Sequence, residues 1–150
     1  MHIETTHTYP VPRKDGFAYL TDLKTWADWS PLRVGDPEAI TMRKGAVIDF
    51  VYRPMGIPMH GKAEVVKLVD GELLRLRIRV RGYTDVIETL EFKNAGSHAF
   101  TLIVTVDADE PADIMGKTYQ WVRKPLLTRD VHHSLDRLQE VFFNGATKAA

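Results

Sequence analysis

Gly61-Lys62-Ala63-Glu64-Val65-Val66-Lys67-Leu68-Val69-Asp70-Gly71-Glu72-Leu73-Leu74-Arg75-Leu76-Arg77-Ile78-Arg79-Val80 decides the fold. Two runs of period-two alternation flank Asp70-Gly71, a pair suited to a tight hairpin turn because it tolerates positive φ. Folding about that turn sets Val65 opposite Leu76, Ala63 opposite Ile78 and Gly61 opposite Val80, all apolar or small. Lys62, Glu64, Arg75, Arg77 and Arg79 fall on the other face. The stretch therefore predicts an antiparallel hairpin with one core face and one wet face.

The same alternation extends outward. Segments at 39–44, 46–53, 59–69, 72–81, 85–93 and 98–108 read as strands, separated by Lys44-Gly45, loop 54–58, Asp70-Gly71, Gly82-Tyr83 and Asn94-Ala95-Gly96-Ser97. Gaps this short permit only antiparallel neighbours, since a parallel crossover needs a dozen residues or more. A turn at 82–84 sets Val80 opposite Val86 and Leu76 opposite Leu90; a turn at 95–97 sets Phe92 opposite Phe100, Leu90 opposite Leu102 and Val86 opposite Val106. Before this meander, residues 2–9 read as a strand ended by Pro10 and Pro12. Two short helices follow, over 12–22 and 23–28, the second stopping before Ser30-Pro31 because the residue ahead of a proline avoids helical angles. Beyond Glu110-Pro111 the period becomes helical as far as Asn144-Gly145, roughly 50 Å at 1.5 Å per residue. Pro125 lies within this helix and is expected to kink or split it. Met115, Tyr119, Val122 and Leu126 form an apolar stripe before it, and Leu127, Val131, Leu135, Leu138 and Phe142 another after it.

The order strand, two short helices, meander and long terminal helix resembles the helix-grip fold of the START-like (SRPBCC) superfamily, which holds lipid-transfer domains, pollen-allergen-type carriers and polyketide cyclase-like proteins. Tyr9-Pro10-Val11-Pro12, then Phe17-Ala18-Tyr19-Leu20-Thr21-Asp22-Leu23, then Trp26-Ala27-Asp28-Trp29-Ser30-Pro31 is similar to the opening of that superfamily. The resemblance implies one α+β domain over 1–150, its curved six- to seven-stranded antiparallel sheet wrapped around the C-terminal helix with a cavity between them. The meander independently brings loop 54–58, turn 82–84 and the connection 109–113 to one end, so the cavity mouth is expected there.

Composition bounds the function. The chain has 150 residues, enough to bury roughly 70% of its unfolded surface. Twenty cationic and 20 acidic side chains cancel, which removes any long-range attraction to nucleic acid or to an anionic membrane. With no cysteine there are no disulfides, thiolate nucleophiles or thiolate metal sites. No apolar run approaches the ~20 residues of a spanning helix, and Met1-His2-Ile3-Glu4-Thr5-Thr6 lacks a secretory leader's pattern. A cytoplasmic location, no integral membrane association and no cofactor are the expectations; the oligomeric state is open.

Glu88 carries the sharpest chemical signal. In the register above it points inward between Ile78 and Val104, where desolvation raises a carboxyl pKa and suits it to acid–base work or to binding a ligand hydroxyl. The competing reading is a bulge that turns Ile87 inward and sets Glu88 beside the outer arginines. Arg75, Arg77, Arg79 and Arg81 form a basic row, but Glu64 and Glu91 share their face and no aromatics alternate with them, so a paired, solvated surface is expected rather than a nucleic-acid site. His132-His133 diverge by ~100° on a helix and cannot easily share an ion, while His132 with Asp136 lacks a third ligand, so no metal is expected. Gly56 to Lys62 has phosphate-loop spacing, but Ala63 replaces the required hydroxyl and a strand follows instead of a helix.

The expected lining comprises Trp29, Phe50, Tyr52, Met59 and His60; Ile78, Glu88, Leu90, Leu102 and Val104 from the later strands; and Met115, Tyr119, Val122 and Leu126 from the helix. Trp26 is expected in the core, and Trp121, though near the pocket in sequence, is expected outside it. The function expected is carriage of a small, mostly apolar molecule. Two alternatives stand beside it: a cyclase or dehydratase using Glu88 as general acid/base, and a co-chaperone-like interaction module with a filled core.

Overall fold

The hairpin at Asp70-Gly71 forms as its sequence dictates: Val65 pairs with Leu76, Ala63 with Ile78 and Gly61 with Val80, and Gly71 has a positive φ of 72°. The computed structural model describes residues 1–81, 83–109 and 114–149, with the side chains of 114–123 and 145–149 left outside the description. Its strands are β1 (His2–Tyr9), β2 (Arg33–Val34), β3 (Val47–Tyr52), β4 (Met59–Val69), β5 (Leu73–Val80), β6 (Val86–Asn94) and β7 (Phe100–Ala108). The helices are α1 (Arg13–Leu20), α2 (Trp26–Trp29) and α3 (Ile114–Ala149). All seven strands form one antiparallel sheet in the order β1-β7-β6-β5-β4-β3-β2. The topology is that of the helix-grip fold.

Three local expectations need correction. Residues 39–44 form no strand; Ile40 and Met42 pack half-buried against the core, but β2 already occupies the edge of β3, through Arg33 opposite Val51 and Val34 opposite Phe50. The later registers are displaced by two residues. Val86 faces Ile78 and Leu90 faces Leu74, while Leu102 faces Phe92, Val104 faces Leu90 and Val106 faces Glu88. The connections at 81–85 and 95–99 are longer than three residues, which moves the pairing without changing faces, because side chains alternate with a period of two. The bulge lies in β4, between Val65 and Lys67, rather than beside Glu88.

The helix is one element from Ile114 to Ala149, with Pro125 inside it and no split. Its later stripe grips the sheet: Leu135, Leu138 and Phe142 are buried. Tyr9, Phe100 and Phe142 stack around them with ring centroids 5.2–5.8 Å apart, within the range of favourable aromatic contact. The Tyr9 hydroxyl donates to the Leu135 carbonyl at 3.0 Å, fastening β1 to α3. Gly16 permits this packing, since a Cβ there would stand 2.2 Å from the Phe100 ring. This end of the molecule is filled. Toward the other end Leu126, Leu127 and Val131 on α3 and Tyr52, Ile78 and Val80 on the sheet are only half-buried.

Candidate functional site

Those half-buried side chains face a cavity of about 160 Å³ between the sheet and α3. Pro54, Met59 and Tyr83 from the open-end loops and strand starts contribute to its wall, so the cavity approaches the end assigned to the mouth. Met55 and Ile57 project from the lip at 79% and 65% exposure, and Met55 has a φ of 53°, in the left-handed region.

Of the residues expected to line the cavity, Trp29, Phe50, Tyr52, Met59, Ile78, Glu88, Leu90, Leu102, Val104 and Leu126 do so. His60 does not. It sits opposite Val51 and is exposed, because the alternation that sends Met59 and Gly61 inward sends His60 out. The side chains of Met115, Tyr119, Trp121 and Val122 lie outside the described residues. Leu76, Val86 and Val106 join the wall from the same apolar sheet face, and Ser30, Pro31, Leu32, Asp130 and Ser134 join it at one edge. The sequence signal for Asp130 and Ser134 was their four-residue spacing from Leu126 to Asp130 to Ser134, which continues the helical stripe; their polarity concealed it. Trp26 is both core, at 2% exposure, and cavity wall, its indole N–H donating to the Leu20 carbonyl at 2.9 Å.

Phe50 owes its position to the residue across from it. Gly61 pairs with Phe50, and a Cβ on Gly61 would lie 2.5 Å from the Phe50 ring and 2.8 Å from the Arg79 carbonyl oxygen. The glycine leaves the room into which the ring folds.

Glu88 points inward, between Leu76 on β5 and Val106 on β7 rather than between the expected Ile78 and Val104. Among the described residues it has no hydrogen-bond or ion-pair partner, and burial pushes its carboxyl up to about 7. Near neutral pH the group therefore passes between an O–H that donates and a carboxylate that only accepts. Its neighbour Ile87 takes the outer face, opposite Arg77. There the arginine row is largely engaged: Arg75 donates to Thr89 Oγ1 at 3.1 Å, Arg77 pairs with Glu64 at 3.9 Å and Arg79 with Asp85 at 3.1 Å. Glu91 pairs with Lys93 at 3.8 Å rather than with an arginine.

At the cavity edge the Tyr52 hydroxyl donates to Asp130 Oδ2, and the Ser134 hydroxyl donates to the Asp130 carbonyl at 2.9 Å. His132 and His133 are exposed on α3. Among the described residues no three histidines or carboxylates come together to hold a metal ion, and no helix is long and apolar enough to cross a membrane.

The fold recurs in solved structures. An aromatase/cyclase, Zhui, from Streptomyces sp. R1128 superposes with a TM-score of 0.76 at 13% identity, over 93% of this chain and 92% of that one. A START superfamily protein from Mycobacterium smegmatis gives 0.69 at 12% identity, over 95% and 97%. An HSP90 activator from Plasmodium falciparum gives 0.56 at 19%, over 75% and 76%. At these identities the likeness is one of fold. No curated protein matches by sequence. The model of one family, described as polyketide cyclase/dehydrase and lipid transport, matches residues 1–142. With that match over nearly its whole length, the chain belongs to the polyketide cyclase/dehydrase and lipid transport family.

Proposed function

We propose that this protein holds a mostly apolar small molecule in the cavity between its sheet and α3, with Glu88 as the polar contact that orients it. The observation that carries the reading is the contrast along α3: Phe142 is packed among the Tyr9, Tyr19 and Phe100 rings, while Leu126, Leu127, Val131, Leu135 and Leu138 border open space. An apolar ligand there would gain roughly 25 cal/mol per Å² of its apolar surface removed from water, before the entropic costs of binding. Below about pH 7 the Glu88 carboxyl is neutral and offers an O–H to a ligand carbonyl or hydroxyl oxygen.

The test uses a neutral fluorescent probe, N-phenyl-1-naphthylamine. Saturable 1:1 binding is expected to the native chain, and none to Ile78→Trp, whose indole would occupy the cavity while the thermal transition and circular dichroism show a folded chain. Absence of saturable binding to the native chain, or undiminished binding to a folded Ile78→Trp, overturns the reading.

The raised pKa of Glu88 favours a second reading, acid–base catalysis of the cyclase or dehydratase kind. Tyr52 and Tyr83 are the nearby hydroxyl groups such chemistry would draw on. Glu88→Gln separates the two: ligand affinity kept with turnover lost assigns an enzyme, whereas affinity without turnover in either form assigns a carrier. An interaction module has the exposed Met55 and Ile57 in its favour, but it predicts a filled core, and the cavity speaks against it.

A further inference from the structure

We propose that the groove next to the cavity binds an anionic head group, phosphate or carboxylate, borne by the same molecule whose apolar body fills the cavity, so that the ligand class is an anionic amphiphile. The proposal rests on the carrier reading and adds the ligand's charge to it.

The groove is walled by Arg33, Arg53, Arg129, His133 and Arg137, all exposed, with Asp130 as its single carboxylate. A chain with equal numbers of cationic and acidic side chains has no general reason to gather four arginines around one depression. They reach it from three separate elements. Arg129, His133 and Arg137 are spaced four apart, one face of α3; Arg33 comes from the edge strand β2, where its pairing with Val51 sets it beside the end of β3; Arg53 directly follows β3. All four cations are arginine, whose planar fork matches a phosphate or carboxylate with two parallel hydrogen bonds.

Internal partners consume little of this charge. Arg33 Nη1 donates to the Ser30 carbonyl at 2.7 Å and Arg129 lies 3.9 Å from Asp130, but Arg53 and Arg137 have no ion pair or hydrogen bond among the described residues. Asp130 is itself held by the Tyr52 hydroxyl. Groove and cavity share a wall: Trp29, Tyr52, Pro54, Asp130 and Ser134 border both. A head group among the arginines would thus sit one side chain away from the apolar chamber. That continuity argues for a single two-part ligand over two unrelated sites.

The experiment is calorimetric titration at low salt of the full chain and of the double variant Arg53→Gln/Arg137→Gln, using decyl phosphate below its micelle concentration, decanol, and inorganic phosphate. Decyl phosphate is expected to bind the native chain at least tenfold more tightly than decanol, and inorganic phosphate far more weakly than either. The double variant should lose the preference for decyl phosphate and keep its affinity for decanol, with an unchanged thermal transition. Equal affinities for decyl phosphate and decanol, or a preference that survives in the double variant, overturn the anionic groove and leave the carrier reading standing. Inorganic phosphate binding as tightly as decyl phosphate overturns the shared ligand and leaves a free-anion site. Failure of both decyl compounds to bind overturns the carrier reading and this proposal with it.

Discussion

Glu88 is the residue at which chemistry and stability meet. Its carboxyl faces a mostly apolar wall with no hydrogen-bond or ion-pair partner among the described residues, and its pKa rises from the ordinary 4.5 to about 7 in the folded chain. Between those two values the unfolded chain has released the proton and the folded chain retains it, so folding stability falls as pH rises through this window and levels off above it. Allowing for water that reaches the cavity wall, the loss is on the order of 2 kcal/mol. Glu88→Gln should abolish the slope and be the more stable form at pH 8, as urea unfolding at pH 4.5, 6, 7 and 8 would register; parallel profiles for the two proteins would mean that Glu88 is well solvated. Gly61 is the second decisive residue. A methyl group there would meet the Phe50 ring and the Arg79 carbonyl, so Gly61→Ala should cost about 1–3 kcal/mol by overpacking and push Phe50 into the chamber, weakening N-phenyl-1-naphthylamine binding. Both roles were partly legible. Alternation alone sent Glu88 inward, whereas the need for glycine at 61 depends on a cross-strand ring that appears only once β3 and β4 are paired.

Among the elements, α3 divides into a gripping half and a cavity-facing stretch. Phe142 is buried against Tyr9 and Phe100, away from the cavity wall, while Leu127 borders the cavity. Phe142→Ala should therefore destabilise by about 3–5 kcal/mol, as deletions from packed cores do, and Leu127→Ala by about 1 kcal/mol or less, since space already adjoins it. Comparable losses from the two, measured by chemical denaturation, would place the packing evenly along the helix. The strands illustrate what a sequence conveys about elements. Which residues face the core was readable over most of the long strands, because a period of two is a local property. His60, however, was expected inward and lies on the outer face, and the choice between Ile87 and Glu88 needed the paired strands. Which residues stand opposite one another was readable only at Asp70-Gly71, where the turn has a defined length; the connections at 81–85 and 95–99 carry no such signal, and the registers beyond them shifted by two. Residues 39–44 alternate correctly and still form no strand, since a ladder needs a free neighbouring edge and β2 had taken it. The basic face Arg129-His133-Arg137 was present in the spacing but had meaning only once Arg33 and Arg53 were brought beside it.

At the scale of the whole molecule, one end of the sheet–helix interface is solid and the other contains a chamber, and the proposed function follows from that asymmetry. The aromatic cluster around Phe100 and Phe142 holds α3 to the sheet without help from the open end, so the chamber need not be filled for the chain to fold. The most direct measurement is a methyl-labelled NMR titration with decanol, following the isoleucine, leucine and valine methyl groups. Shift changes should saturate together and concentrate on Ile78, Val86, Leu90, Val104, Leu127 and Val131, leaving exposed Val47 unmoved. Changes confined to Ile57 on the lip, or no saturable change at all, would contradict the account.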